Sequence, residues 1–328
     1  MISQSPVGTI FGGSGCVGRY IVRRMARAGW RVRVAVRRPN EALFVRTYGV
    51  VGQVEPVLSN VRNEASVAQA VRGVDAVVNC VGILAPTGKQ TFDAVQDEGA
   101  ARVARLSREA GVKRFVHLSA IGADAESPSN YARTKAFGEA AVMEYQPSAV
   151  ILRPSIVFGT EDQFFNRFAG MARISPVIPV IGPDTRFQPV FVDDVAAAAE
   201  RALVRGAKAG IYELGGPDVD SFRGLMDRML RVIRRNRWVV AVPMPIAKLQ
   251  GRIFSFVSSM SGGLLPAPVT YDQVLLLARD NVVSDDALSF ADLGVSPTAM
   301  AAVLEGYLTP FMPYGQYARI TSSAKHLR

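Results

Sequence analysis

The residues Gly12-Gly13-Ser14-Gly15-Cys16-Val17-Gly18 follow directly on an apolar stretch, Val7 to Phe11, and open a helix-period segment that ends at Gly29. Gly12, Gly15 and Gly18 stand in the spacing G-x-x-G-x-x-G. The first suits a tight turn, the second lets the backbone approach a pyrophosphate, and the third lets helix and strand pack closely. The helix start, with Ser14, Cys16 and Val17 between the glycines, offers free N–H groups and the positive end of its dipole to phosphates. Glycines also make plain flexible turns. Here a strand precedes, a helix follows, and a second strand at Arg31 to Val36 completes the unit that binds a dinucleotide.

An NAD site usually ends that second strand with Asp or Glu on the ribose hydroxyls. This chain has Arg37 and Arg38 there. Surface strands do end in arginine for no special reason, but two adjacent guanidinium groups at this position can clamp a 2′-phosphate, which points to NADP(H) as the cofactor.

From Val7 to Arg153 short β-branched runs alternate with helix-period segments, which predicts an α/β chain built on a Rossmann-like, doubly wound parallel sheet. Strands are expected at Val7 to Phe11, Arg31 to Val36, Val54 to Leu58, Ala76 to Val81, Phe115 to Leu118 and Ala149 to Leu152. Helices are expected at Val17 to Ala28, Glu64 to Val71, Phe92 to Ala110 and Tyr131 to Tyr145, with Gly29 and Gly111 as C-terminal caps. After Arg153-Pro154 the alternation loosens. Short strands at Val190 to Val192, Tyr212 to Leu214 and Val239 to Val242 and helices from Asp193, Ser221 and Ile246 suggest a smaller, interleaved lobe. The expected division is a dinucleotide-binding domain over 1–153, a smaller α/β lobe over 154–308 whose chain crosses back to the sheet, and an extended C-terminal arm over 309–328.

Composition narrows the function classes. With 49% hydrophobic residues in 328 the chain can fill a core, yet no apolar run nears the ~20 residues that span a bilayer. The first strand begins soon after Met1 with no presequence, which favours a bacterial chain. Cys16 and Cys80 fall on separate elements and suggest a reduced compartment, and with only His117 and His326 no zinc spacing can be assembled, so no metal is expected. His117, inside an apolar strand, reads as a core residue. The formal charge of +10 calls for an anionic partner, but no nucleic-acid motif accompanies it. The densest basic run, Arg231 to Arg237, reads equally well as a solvated helix end or a docking surface.

Tyr131 and Lys135 stand four apart at a helix start, which stacks the phenol and the ammonium on one face. The lysine's charge lowers the tyrosine pKa and can hold a ribose, so the pair can move a proton while hydride moves. Ser119, at a strand end twelve residues before Tyr131, can hydrogen-bond a substrate oxygen. An ordinary helix start with an exposed lysine is the plain alternative.

Gly12/Gly15/Gly18, Asn79-x-x-Gly82, Ser119, Tyr131-x-x-x-Lys135 and Arg153-Pro154-Ser155 together resemble an extended or atypical short-chain dehydrogenase/reductase over about residues 7 to 215. The resemblance implies that Asn79 and Gly82 flank the nucleotide and that the Pro154-Ser155 backbone meets its nicotinamide end. Asn60-Val61 stands where that superfamily commonly has an acidic residue facing the adenine, so the adenine contact departs from the pattern. A second resemblance starts at Arg153-Pro154-Ser155-Ile156-Val157-Phe158-Gly159 and runs through Gln188 to Val195, Val242-Pro243-Met244-Pro245 and Asp292-Leu293-Gly294-Val295. These segments are similar to the NADPH-binding accessory subunit of respiratory complex I. That family implies a dinucleotide held as a structural ligand and docking on other complex I subunits beside the quinone-binding region.

Ile246, Leu249, Ile253, Phe256, Val257 and Met260 share one helical face, with Lys248, Arg252, Ser255 and Ser259 toward the other. The segment Ile246 to Pro268 can lie on anionic lipid or pack on its own lobe. The leading expectation is an NADP(H)-binding accessory subunit of complex I, peripheral on the inner membrane at its cytoplasmic side, or the matrix side if mitochondrial. The alternative is a free NADP-dependent reductase or epimerase using Ser119, Tyr131 and Lys135. A third class, a nucleotide sensor without turnover, leaves the basic C-terminal region unexplained.

Overall fold

The computed structural model describes residues 5–260 and 269–315. Strands and helices alternate through the first half: β1 (Val7–Phe11), α1 (Cys16–Arg27), β2 (Arg31–Val36), β3 (Val54–Leu58), α2 (Glu64–Val71), β4 (Ala76–Asn79), α3 (Glu98–Glu109), β5 (Arg114–Leu118), α4 (Asn130–Tyr145) and β6 (Val150–Pro154). Then follow β7 (Val157–Phe158), α5 (Phe165–Ile174), β8 (Val177–Ile181), β9 (Arg186–Phe187), β10 (Val190–Phe191), α6 (Val192–Val204), β11 (Gly210–Leu214), β12 (Asp220–Ser221), α7 (Phe222–Val232), β13 (Trp238–Val242), α8 (Met244–Met260), α9 (Tyr271–Leu276) and α10 (Met300–Leu308).

Seven strands form one parallel sheet in the order β11-β6-β5-β4-β1-β2-β3. Strand order reverses between β1 and β4, the switch point at whose carboxyl edge doubly wound folds bind ligands. Local chemistry sets the element ends. Gly29 (φ 83°) and Gly111 (φ 75°) take the left-handed conformation that ends α1 and α3, and Trp30 N donates to Met25 O while Val112 N donates to Ser107 O. Asn63 and Ser129 accept from backbone N–H groups as N-caps of α2 and α4.

The sheet is covered on both sides. Ile21, Val22 and Met25 of α1 pack with Val195 and Ala199 of α6; Val67, Val103 and Val142 of α2, α3 and α4 form the other layer. A separate cluster joins Phe165 of α5, Leu225 and Met229 of α7 and Leu304 of α10. Burying each such side chain stabilises the fold by about 1.5–3 kcal/mol.

Several elements depart from expectation. β4 stops at Asn79 rather than Val81, because Asn79 Oδ1 accepts from Val81 N and turns the chain out of the ladder. The helix expected from Phe92 begins as a π turn, Asp93–Asp97, and a Cβ on Gly138 of α4 would lie 2.2 Å from the Gln96 carbonyl within it. Val192 opens a helix instead of closing a strand. α6 and β11, both from the second half of the chain, complete the layers of the main sheet. Thr309–Phe311, expected in an extended arm, forms a 3-10 turn instead, and Met312 is buried, because the apolar face of α10 carries the chain onto its own lobe. Residues 261–268 and 316–328, with the calls made on them, lie outside the described residues.

Candidate dinucleotide site

The residues singled out from the sequence gather at the carboxyl edge of the sheet: Gly12–Gly18 after β1, Arg37 and Arg38 after β2, Asn60 and Val61 after β3, Asn79 and Gly82 at β4, Ser119 after β5, and Pro154 and Ser155 at β6. Gly12 has φ 73°, and Gly15 N donates to Gly12 O at 2.9 Å, closing the turn. A Cβ on Gly18 would sit 2.3 Å from Gly12 O and 2.7 Å from Gly13 Cα, so only glycine lets α1 approach this closely. Gly15 caps α1 in an extended conformation, and no acidic residue stands in the first turn to compete with an anion. Arg19, which the sequence pattern did not flag, donates to Ser14 O at 3.0 Å and pairs with Glu161 at 3.1 Å, bracing the loop from outside.

Arg37 Nη1 donates to Gln90 Oε1, and Arg38 pairs with Glu41 at 2.9 Å on an exposed surface. Exposed pairs contribute only ~0–1 kcal/mol, so both guanidinium groups can turn toward a phosphate at little cost. Asn60 Oδ1 is spent on its own turn, accepting from Arg62 N. Val61 sends its side chain into the core, and its carbonyl accepts from Arg102.

The other half of the site is buried. Asn79 and His117 lie side by side on β4 and β5, with Asn79 Nδ2 3.3 Å from His117 Nδ1. Lys135 Nζ donates to Leu118 O at 3.0 Å, stands 6.0 Å from the Tyr131 ring centroid and is 3.4 Å from where a Gly82 Cβ would be. The structure therefore brings Gly82, Lys135, Tyr131 and the Leu118-Ser119 strand end together. Burial pushes Lys135 down to about 8, against the raising charges of Glu139 and Cys80. Burial and then the Lys135 charge push His117 down to about 3, so its imidazole stays neutral. Burial, with the Asp272 charge, pushes the Tyr131 phenol up to about 12, the opposite of the lowering expected from Lys135. Ser119 Oγ and His117 Nε2 are buried with no hydrogen-bond partner among the described residues. An unpaired buried hydroxyl costs about 1–3 kcal/mol, which suits a position shaped for a ligand atom.

A distant segment closes over this half. Asp272, in the first turn of α9, accepts from Ser129 Oγ, Asn130 N and Tyr131 N at 2.8, 2.6 and 3.2 Å, capping α4 from outside. Ser155 Oγ donates to Asn281 O at 2.9 Å, and Asn281 Nδ2 donates to Ile121 O. Phe92 stands edge-on to Tyr131 at 5.9 Å between centroids. Asp272, Asn281 and Phe92 carry no sequence motif and were missed. Pro154 ends β6, and its carbonyl accepts from Ile121 N.

A profile of the NAD dependent epimerase/dehydratase family matches residues 9–215. The chain belongs to that family. Within the family it is 36% identical over 313 residues to the Arabidopsis thaliana mitochondrial NADH dehydrogenase [ubiquinone] 1 alpha subcomplex subunit 9, covering 93% of this chain and 77% of that protein. It is 30% identical to the Neurospora crassa NADH-ubiquinone oxidoreductase 40 kDa subunit, covering 98% and 83%. A Caulobacter vibrioides ceramide reductase is 33% identical over 65% of each chain. Among solved structures, an Escherichia coli NADPH-dependent quinone oxidoreductase complexed with NADPH superposes with a TM-score of 0.68 at 17% identity, covering 92% of this chain and 98% of that one; this is likeness of fold. Membership of an NAD dependent family agrees with the glycine loop.

Proposed function

We propose that the chain is an NADP(H)-binding accessory subunit of respiratory complex I, the NADH:ubiquinone oxidoreductase, in which the nucleotide serves as a structural ligand. The supporting observation is that likeness to the complex I subunits spans 93% of the chain, past residue 215 where the general family profile stops, and so takes in the Asp272 segment that caps α4. In this reading Gly12, Ser14, Gly15, Cys16, Val17 and Gly18 form the cradle for the pyrophosphate, with Gly12 and Gly15 spending their own N–H groups on backbone carbonyls and the start of α1 offering donors to the phosphates, and Arg37 and Arg38 take the 2′-phosphate. Asn60 and Val61 border the adenine. Asn79, Gly82 and the Pro154-Ser155 backbone flank the nicotinamide half, and Tyr131 and Lys135 hold its ribose. A bound NADPH carries a transferable hydride. Tyr131, kept protonated across the neutral range, acts toward the ribose as a hydrogen-bond donor.

A second reading, a free NADP-dependent reductase or epimerase, draws on the orphaned Ser119 Oγ beside Lys135 and Tyr131 and on the likeness to a ceramide reductase. Native mass spectrometry of detergent-solubilised membranes separates the two. An accessory subunit emerges with flavin and iron-sulfur proteins and carries NADP(H). Recovery as a free soluble protein that turns over NADPH, with Tyr131→Phe abolishing the turnover, would establish the reductase instead.

We further place the protein peripherally on the inner membrane, cytoplasmic side, or matrix side in a mitochondrion, held mainly by other complex I subunits. No helix of the described residues is long and apolar enough to cross a membrane. α8 packs on α9 through its small and polar side: Gly251 lies against Tyr271, Arg252 stacks over its ring at 5.0 Å, and Ser255 Oγ accepts from Tyr271 N. Ile246, Leu249 and Ile253 consequently remain 50, 60 and 51% exposed. An uncovered apolar stripe beside basic residues supports contact of Ile246 to Pro268 with lipid.

A further inference from the structure

The basic run at the end of α7 is not absorbed by the nucleotide site. Arg231, Arg234, Arg235 and Arg237 line a cleft of about 860 Å³ with Pro176, Asn236 and Trp238, and Asp227 is the one carboxylate among its described lining residues. Some arginines elsewhere find acids: Arg24 reaches Asp193 and Glu200, and Arg153 reaches Glu139 and Glu213; others, such as Arg33 and Arg114, bond carbonyls. Here none of the four, nor Arg173 nearby, has a carboxylate within ion-pair distance among the described residues. Their hydrogen bonds go to carbonyls, Arg235 to Phe311 O and Arg237 to Ala172 O, each at 2.8 Å. Burial, and then the charges of Arg237 and Arg173, work against the Arg235 cation. The C-terminal end of a helix dipole favours a cation or two in its last turn, not a group of this size. Arg234 also holds φ 53°, where glycine would be unstrained.

The rim of the cleft is apolar. Ile174 is 89% and Trp238 75% exposed, and Val240 extends the rim along β13. β13 pairs with β8 in the register Trp238↔Val177, and Trp238 N donates to Pro176 O at 3.0 Å. Pro176 and Trp238 thus meet at one end of this small sheet, beside the arginines, and Ile174, two residues before Pro176, ends α5. β13 leads directly into α8 with its uncovered Ile246, Leu249 and Ile253. Guanidinium groups bind phosphate in a bidentate fork, tryptophan settles at the membrane–water boundary, and the chain's charge of +10 suits an anionic surface.

We propose that this arginine-lined cleft and its Trp238–Ile174 rim dock on the phosphate headgroups of an anionic phospholipid bilayer. The setting rests on the reading of the chain as a peripheral complex I subunit, whereas the docking chemistry is a property of this surface alone.

The chain has two tryptophans; Trp30 is 4% and Trp238 75% exposed, so a change in intrinsic emission on binding reports Trp238. Full-length protein is mixed with phosphatidylcholine vesicles, with or without phosphatidylglycerol, and followed by fluorescence and co-sedimentation. Blue-shifted emission and binding are expected only with the anionic vesicles, weakening with salt. Arg231→Glu/Arg234→Glu, at exposed positions without ion pairs, should reduce partitioning by tenfold or more at an unchanged melting temperature. Binding by the double variant equal to the parent, or vesicle binding without a shift in Trp238 emission, overturns the proposal. So does a shift produced equally by a polyglutamate peptide that displaces vesicles, which makes the cleft a protein-facing surface. Tight calorimetric binding of inorganic phosphate with no vesicle binding makes it a free-anion site and overturns it too. Co-purification with complex I tests the accessory-subunit reading separately and can succeed when this docking fails.

Discussion

Gly18→Ala tests the packing of the nucleotide loop more directly than any other change. Alanine in place of glycine inside a helix ordinarily stabilises by ~0.5–1 kcal/mol. At Gly18 the new Cβ would stand 2.3 Å from Gly12 O and 3.0 Å from Gly12 C. Both are backbone atoms of a turn fixed by the Gly15 N to Gly12 O hydrogen bond, so α1 must back away by about 1 Å, and such overpacking costs ~1–3 kcal/mol. After the helix-propensity gain, a net loss of about 1–2 kcal/mol is expected. For a chain of this size that is a fall of a few degrees in melting temperature, on the order of 2–4 °C per kcal/mol. The shift also misaligns the N–H groups at the start of α1, so NADPH affinity should drop by more than tenfold, charged hydrogen bonds contributing ~1.5–3 kcal/mol each. Gly306→Ala in α10 is the internal control: nothing lies within 4 Å of its Cβ, and it should raise stability by ~0.5–1 kcal/mol. Thermal unfolding and titration calorimetry on both variants decide the matter. Equal stabilisation by the two alanines, with NADPH affinity unchanged, would refute the reasoning.

Replacing Arg37 and Arg38 together by alanine should weaken NADPH by tenfold or more and leave NADH nearly unaffected, since only the former carries a 2′-phosphate; equal losses in calorimetry would remove the NADP(H) assignment. Gly15→Trp should reduce retention in the assembled complex, because a ligand that binds only the folded state stabilises it, whereas Tyr131→Phe should leave retention intact in immunoprecipitation. His117 has its folded pKa pushed down to about 3 from 6.5, so its contribution to stability is fully present above pH 6.5 and is lost as pH falls from there toward 3. His117→Gln should flatten that part of the stability profile, and an unchanged acid limb in urea titrations would mean another group is responsible. A moderate salt wash of membranes should fail to release the protein, since lipid electrostatics contributes only ~1 kcal/mol per basic residue; quantitative release with the other complex I subunits retained would disprove docking through protein partners.

Much of the fold and half of the site were legible in the residues themselves. The β1–loop–α1 unit, the parallel alternation through β6 and the stops at Gly29 and Gly111 depend on near neighbours in the chain: period-two and period-3.6 burial, a left-handed φ, a cap three residues away. The same holds for Tyr131 and Lys135, whose spacing of four places them on one face of α4. Only tertiary structure decided that Asp272, 141 residues from Tyr131, caps that helix, that β11 joins the main sheet beside β6, and that Ser119 Oγ and His117 Nε2 are left without partners. The two faces of α8 were evident from its sequence, but not which of them the protein covers. An amphipathic pattern records that a helix has unlike sides; which side is buried depends on the shape of the neighbour, and here Gly251 against Tyr271 brings α9 onto the polar side and leaves Ile246, Leu249 and Ile253 outward.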